Sequence, residues 1–152
     1  MVFTSKINWL RKKLRKSLPE LMCVYTNKTV TFQNRSSMER AEIIDPGFST
    51  ADADFPDIYI DEGDLILKFK DWQENQREVF FSDTVAFKWQ MIETFIEGEE
   101  YDRSHIIIES AWLSEHIKQG EIGAREEYKH YKFNFNGNGQ LEVISNGFTV
   151  KM

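Results

Sequence analysis

The sequence predicts an α+β domain built mainly on antiparallel β-sheet, with an amphipathic helix at the N-terminus and one short internal helix. Two patterns carry this prediction. Runs in which apolar and polar residues alternate recur from residue 57 onward, and such alternation places one face of a strand in the core. Tight-turn sequences separate these runs, so neighbouring strands are expected to pair antiparallel. The patterns leave open whether the sheet is strongly curved and barrel-like or stays open against the helix.

The stretch 63–90 is predicted to form three strands of one antiparallel meander. Apolar residues at every second position place the following side chains on one buried face: Leu65, Leu67 and Phe69; Val79 and Phe81; Val85, Phe87 and Trp89. The other face is expected to carry the bases of this stretch, Lys68, Lys70, Arg77 and Lys88. One face of the sheet is therefore predicted to be dry and the other solvated.

Residues 5–18 are predicted to form an amphipathic helix within a basic N-terminal segment, 1–19. Ser5 can cap its N-terminus, and Pro19 ends it. Covering a sheet is the commoner use of such a helix, and we favour it. The alternative is peripheral contact with an anionic membrane or a nucleic acid, through the six bases that occur without any acid in 6–16.

The other predicted elements are short. Residues 21–25 and 29–33 form a hairpin, and 33–56 form a long irregular loop in which one interpretation of 38–44 is a short helix. Residues 91–101 fit either a helix or a strand. The remaining elements are a strand at 57–60, a buried strand at 105–109, a helix from Ala111 to Gln119 between the caps Ser110 and Gly120, a hairpin of strands 128–136 and 140–145, and a closing strand at 148–150.

Length and charge limit the functional classes. A chain of 152 residues is expected to form one domain, 1–152. Outside 6–16 the sequence holds 13 bases and 25 acids, which disfavours nucleic-acid binding by this acidic body and favours a basic protein partner. The single cysteine, Cys23, excludes an internal disulfide, and no apolar run approaches the roughly 20 residues of a membrane span. We therefore expect a soluble, cytoplasmic protein. The sequence does not determine its oligomeric state.

No pattern in the sequence indicates a catalytic, cofactor or metal site. Phosphate-binding loops and nucleophile elbows do not occur in it. His105, His116 and His130 lie on different predicted elements without metal-ligand spacing, so neighbouring groups are expected to satisfy them. The run 45–64 holds seven acids and no base, but it lacks the spacing of a calcium loop. The sequence therefore favours a protein without enzymatic activity, cofactor or metal.

Four short motifs place aromatic residues beside polar or charged ones: Asp71-Trp72, Phe87-Lys88-Trp89, Ser110-Ala111-Trp112-Leu113 and His130 to Phe135. With the acidic charge, the single-domain size and the antiparallel sheet, these motifs resemble the immunity proteins of bacterial toxin systems. That resemblance implies a non-enzymatic protein-binding domain, which neutralises a cognate toxin domain by masking its basic surface with carboxylates.

The acidic runs and one turn tryptophan supply the candidate contacts with such a partner: Asp52, Asp54, Asp57, Asp61, Glu62, Trp72, Glu97, Glu99, Glu100 and Asp102. Trp72 would be the anchor if it is exposed, because exposed tryptophans often dominate binding. We favour the alternative, in which it folds back on the sheet, because tryptophan is usually highly buried. The alternative function is a small-molecule-binding or enzyme-like sheet domain with a pocket under the 33–56 loop. A deep, aromatic-lined cavity with convergent polar groups would favour that alternative.

Overall fold

The computed structural model describes residues 38–91, 93–123 and 126–151. The predicted N-terminal helix and the predicted hairpin at 21–33 lie outside the described residues, as does the beginning of the predicted 33–56 loop. The fold below is the fold of the described part of the chain.

The described strands form two sheets in which all neighbouring strands run antiparallel. Sheet A contains, in order across the sheet, β1 (Arg40–Ile44), β6 (Ser104–Ile108), β7 (Lys129–Phe135), β8 (Gly139–Ser145) and β5 (Ala86–Gln90). Sheet B contains β2 (Asp57–Asp61), β3 (Asp64–Lys70), β4 (Gln76–Ser82) and β9 (Gly147–Lys151). The prediction of mainly antiparallel sheet is confirmed. These strands form two open sheets, so the described part of the chain does not adopt the barrel-like alternative.

The two sheets pack face to face through an apolar interior. Sheet B contributes Leu65, Leu67, Phe69, Val79 and Phe81, and sheet A contributes Tyr131, Phe133, Phe135, Leu141 and Val143. The ring centroids of Phe81 and Phe133 lie 5.4 Å apart, and those of Phe69 and Phe135 lie 5.2 Å apart. Burial of one such side chain contributes about 1.5–3 kcal/mol, so this interior is a main source of stability. The predicted inward faces of these four strands are confirmed.

The third strand of the predicted meander is placed in the wrong sheet by the sequence pattern. β5 pairs with β8 of sheet A, whereas β4 pairs with β9. Between β4 and β5, Asp83 adopts a left-handed conformation (φ 48°) and the Val85 N–H donates to the Ile144 carbonyl at 2.9 Å. The chain thereby leaves sheet B. Alternation specifies which face of a strand is buried, but it does not specify the neighbouring strand.

The short helix suggested for 38–44 is wrong, because this segment contains the edge strand β1, which pairs with β6. Residues 45–56 are irregular, as predicted, but they also enter the interior. The Phe48 ring lies 5.6 Å from that of Phe69 in sheet B and 5.7 Å from that of Phe133 in sheet A. The loop therefore fills one end of the space between the sheets.

The predicted internal helix is confirmed as α1 (Ala111–Gln119). The Ser110 Oγ caps it by accepting a hydrogen bond from the Leu113 N–H at 3.0 Å, and Gly120 ends it in the left-handed conformation that glycine favours. The ambiguous segment after β5 is neither helix nor extended strand at 93–101. In the described part of the chain, no helix has the length and hydropathy that a membrane crossing requires.

Replacing Phe81 by alanine tests the packing between the sheets. Because the Phe81 side chain is fully buried against both sheets, we expect a loss of about 3–5 kcal/mol in the free energy of unfolding. Phe80→Ala is the matched control, since Phe80 is half-buried on the opposite face of β4 beside Lys151. Urea denaturation measures both variants. Equal losses would contradict the assignment of the two faces.

Candidate functional site

An edge cleft opens where the free edges of the two sheets meet. Among the described strands, β2 is one of the two edge strands of sheet B, and β5 is one of the two edge strands of sheet A. The rings of Phe55 and Trp89 make an edge-to-face contact at 5.5 Å between them. The edge cleft has a volume of about 300 Å³ and is lined by Phe55, Pro56, Asp57, Ile58, Phe87 and Trp89. Phe55 and Phe87 are 56% and 43% exposed, so this apolar surface is open to a partner.

Trp72 lies on the turn between β3 and β4 and is 62% exposed, so it does not fold back on the sheet. The Asp71 carboxylate organises this turn. It accepts hydrogen bonds from the Gln73 N–H at 2.9 Å, the Asn75 N–H at 3.0 Å and the Arg77 Nε–H at 2.9 Å. Burial alone would raise the pKa of the Asp71 carboxyl, but the bonds from Arg77 and the turn hold it below its usual value. Trp72 is therefore presented on an ordered turn.

Arg77 corrects one detail of the predicted meander. The sequence pattern placed it on the solvated face, but its cross-strand partner is the core residue Phe69. Its guanidinium Nη2 lies 2.7 Å from the Asp71 carboxylate. The base is accommodated at this position because it sits at the end of the strand and is neutralised there.

Four of the predicted contact residues meet at one end of the sandwich. The Asp52 N–H donates to the Asn136 side chain at 2.6 Å, in the turn between β7 and β8. The Asp54 N–H donates to the Lys70 carbonyl at 2.9 Å, immediately before the Trp72 turn. Asp57 begins β2 and lines the edge cleft. Asp52, Asp54, Asp57 and Trp72 are all exposed, so with the cleft they form what we call the edge-cleft surface.

The other predicted contacts do not join this surface. Asp61 and Glu62 lie at the β2–β3 turn, at the far end of β2 from Asp57. Glu97 lies beside the outer edge of β1, where its carbonyl accepts the Ala41 N–H at 2.8 Å. The two remaining exposed acids, Glu100 and Asp102, precede β6 in sheet A. The structure therefore does not gather the two acidic runs into one continuous face.

Glu99 is a correction to the predicted contact set, because its side chain is fully buried. Its carboxylate lies 2.9 Å from the Lys132 Nζ, which is itself only 4% exposed, and it accepts the Ile96 N–H at 2.6 Å. The Asn134 side chain also approaches it at 3.4 Å. Glu99 therefore neutralises a buried base within the fold, and it is not presented to a partner.

A series of polar contacts on the outer face of sheet A, the Ser110 network, is not predicted by the sequence patterns. Ser110 Oγ lies 2.8 Å from His130 Nδ1, and His130 Nε2 lies 2.8 Å from Glu142 Oε2. Lys88 Nζ lies 3.0 Å from the same carboxylate and 4.6 Å from the centre of the Trp112 ring. These residues come from four separate elements, so no local motif could reveal them. The one available signal was the run of polar residues at the outward positions of β7 and β8.

Glu142 remains ionised in this network. Burial alone would raise the pKa of its carboxyl, but the hydrogen bonds from His130 and Lys88 outweigh burial and hold the pKa below its usual value. An ionised Glu142 can only accept a hydrogen bond, so the His130 Nε2–H donates to it, and in the neutral tautomer His130 Nδ1 accepts a hydrogen bond from the Ser110 hydroxyl. Each polar group of the network is therefore paired.

The other two histidines also contact neighbouring groups. The Glu100 N–H donates to His105 Nε2 at 3.0 Å, and burial lowers the pKa of His105. His116 contacts the Glu121 carboxylate at the end of α1. Among the described residues, no group of three or more His, Cys, Asp or Glu side chains is arranged to hold a metal ion.

A pocket of about 630 Å³ lies beside the described part of the long loop, between residues 43–51 and 102–104. Phe48 is the one aromatic residue in its lining, and most of the lining surface is polar. It therefore lacks the aromatic walls that would favour a small-molecule site under this loop.

Glu99→Ala tests the buried pair. Because Lys132 would be left buried without a counter-charge, we expect a loss of about 3–5 kcal/mol in the free energy of unfolding. Glu97→Ala, at an exposed position two residues away, should change it by less than about 0.5 kcal/mol. Urea denaturation at pH 7 measures both. A small loss in Glu99→Ala would overturn the structural role of Glu99.

Asp71→Asn tests the pH dependence of the Trp72 turn. Because the folded-state pKa of Asp71 is depressed, the unfolded chain binds more protons in acid, and this contribution to stability is lost as the pH falls from about 5 towards 3. The variant should therefore be less stable at pH 7 and lose less stability on acidification. Asp57→Asn is the control, because the exposed Asp57 side chain has no hydrogen bond or ion pair with a described residue, and it should change the stability at pH 7 by less than about 0.5 kcal/mol. Urea midpoints at pH 7, 5, 4 and 3 supply the comparison.

No protein-family model matches the chain, and no characterised protein or solved structure matches it.

Proposed function

We propose that this chain is a protein-binding domain that acts as an immunity protein, binding a basic toxin domain in the bacterial cytoplasm and masking its surface. The edge-cleft surface is the proposed contact region. The observation that carries the proposal is the placement of exposed aromatic side chains beside uncompensated carboxylates, where the edges of the two sheets meet.

The apolar part of this surface supplies the binding energy in the proposed complex. Trp72, Phe55 and Phe87 are all large and substantially exposed. Large exposed apolar groups rimmed by polar residues are typical of protein interfaces, and tryptophan is enriched among the residues that dominate binding. The hydrogen bonds that hold the Trp72 turn in one conformation would increase the affinity further, because a side chain that is already held in place loses less entropy on binding.

The carboxylates supply the charge complementarity. Residues 45–64, which include Asp52, Asp54 and Asp57, contain seven acids and no base. The nearest bases on β3 are already paired: Lys68 with Glu78 at 3.3 Å, and Lys70 with Glu74 at 3.4 Å. The edge-cleft acids therefore present a net negative field that would attract a basic partner and speed its association, more strongly at low salt.

The decisive experiment compares two charge reversals of equal size. Asp54→Lys with Asp57→Lys changes the edge-cleft surface, whereas Asp61→Lys with Glu62→Lys makes the same change at the other end of β2. The partner is isolated by affinity capture on the wild-type protein. It must arrest growth when produced alone in a bacterial host and lose that effect when the wild-type chain is produced with it.

Association is then measured by surface plasmon resonance at 50 and 300 mM salt. The edge-cleft reversal should slow association at least about tenfold and flatten its salt dependence, since charged rims act mainly on association rates. The distal reversal should leave the rate within about twofold. Trp72→Ala should speed dissociation about 30-fold, corresponding to the roughly 2 kcal/mol of a dominant contact. Equal effects of the two reversals would show that net charge alone matters and would refute this surface.

A further inference from the structure

The Ser110 network borders a second opening, of about 420 Å³, which is distinct from the edge cleft. Its walls are formed by β1, β6, the beginning of β7 and α1. They are largely apolar, with Ile43, Ile107, Leu113 and Ile117 among the lining residues, and Ser110 and His130 contribute polar groups to the same lining. An apolar pocket with a few converging polar groups is the usual form of a small-molecule site.

We propose that Ser110 is the nucleophile of a serine-esterase site, with His130 as general base and Glu142 as the residue that orients the base. The substrate class is an ester with an apolar acyl group, which the walls of this opening accept. This activity lies outside the proposed partner binding and does not depend on it.

The hydrogen bonds meet the geometric requirements of a nucleophile, a base and an orienting acid. The distances from Ser110 Oγ to His130 Nδ1 and from His130 Nε2 to Glu142 Oε2 are both 2.8 Å. Each lies within the reach required for proton transfer and for orientation of a base. The ionised Glu142 also stabilises the imidazolium that forms when His130 takes the serine proton. Such sites are recognised by geometry and role, and they recur on unrelated folds.

Ser110 lies at the start of α1, and the positive end of a helix favours negative charge. The Ala111 N–H holds the Glu39 carboxylate there at 2.6 Å, so a carbonyl oxygen that becomes negative beside Ser110 has to take the place of this carboxylate. The backbone N–H of Trp112 has no acceptor among the described residues, and it is the donor of the first turn that is left for such an oxygen.

The reaction balances with water as the second reactant. Ser110 Oγ forms a bond to the ester carbonyl carbon while its proton passes to His130 Nδ1. The bond from that carbon to the alcohol oxygen then breaks, and the leaving alkoxide takes the proton from His130. Water next attacks the acylated Ser110 with His130 again accepting the proton. The bond from the acyl carbon to Ser110 Oγ then breaks and His130 returns its proton to that oxygen, which releases a carboxylic acid and restores the serine.

The test uses the full-length chain and an alkyl fluorophosphonate, which forms a stable bond with an activated serine. We expect one phosphonate adduct on Ser110, located by peptide mass spectrometry, and hydrolysis of p-nitrophenyl butyrate above the buffer rate. His130→Gln should reduce hydrolysis at least about 100-fold, the lower range of a general base. A folded wild-type chain that gives no adduct on Ser110 and no hydrolysis overturns the proposal.

Two serine variants provide the comparison. Ser110→Gly removes the hydroxyl while keeping a residue that is tolerated as a helix cap, and it should abolish both labelling and hydrolysis. Ser82→Ala removes an exposed hydroxyl at the end of β4 in sheet B, outside this pocket, and it should retain both. Labelling that persists in Ser110→Gly would refute the assignment. The Asp54→Lys and Asp57→Lys reversal should leave labelling unchanged, so failure of this site and failure of the edge-cleft surface can be told apart.

Discussion

The central strands of sheet A, β7 and β8, are buried on both faces, and this constraint organises much of the molecule. Their inner side chains pack on sheet B, while their outer side chains include charged and polar groups that are nevertheless buried. A buried charge without a partner costs several kcal/mol, so each one must be neutralised where it lies. The Lys132–Glu99 pair and the Ser110 network meet this requirement. In doing so they connect β7, β8 and β5 to α1 and to the segment before β6.

The change of sheet between β4 and β5 creates the edge cleft. If β5 had paired with β4 as the third strand of the predicted meander, it would belong to sheet B. The edges of the two sheets would then not meet at β2 and β5. Because it instead pairs with β8, Phe87 and Trp89 lie across from Phe55 and Ile58 at the margin of the sandwich. The apolar residues of this strand are therefore divided between the interior and the surface. The proposed interface is thus a consequence of strand order.

Local sequence patterns predicted most of the strands. They succeeded wherever residues that are close in sequence are enough to determine the structure of an element. The Ser110 cap, the Gly120 stop and the β7–β8 turn all follow from residues close in sequence. Strand order could not be predicted in this way, because the same alternation suits either sheet. The Ser110 network was missed for a related reason: its polar positions on β7 and β8 resemble a solvated face until α1 covers them.

Within the candidate contact set, the failure at Glu99 has the same origin. Its neighbours Glu97 and Glu100 carry the same side chain and are exposed, so nothing in the acidic run itself distinguishes it. What distinguishes it is Lys132, which lies far along the chain on a buried strand. The Trp72 turn depends on residues that are close in sequence, since Asp71 contacts Arg77 at the beginning of the next strand.

The order of strands along the chain also bears on synthesis at the ribosome. β2, β3 and β4 are consecutive and can pair as soon as they emerge, whereas β4 gains its second neighbour from β9 and β5 gains its neighbour from β8. The apolar face of the early meander is covered mainly by β7 and β8. A nascent chain therefore exposes that face until β7 and β8 have been made. Packing between the sheets is thus a late step relative to the pairing of β2, β3 and β4, and a fragment that stops before β7 would be prone to aggregate.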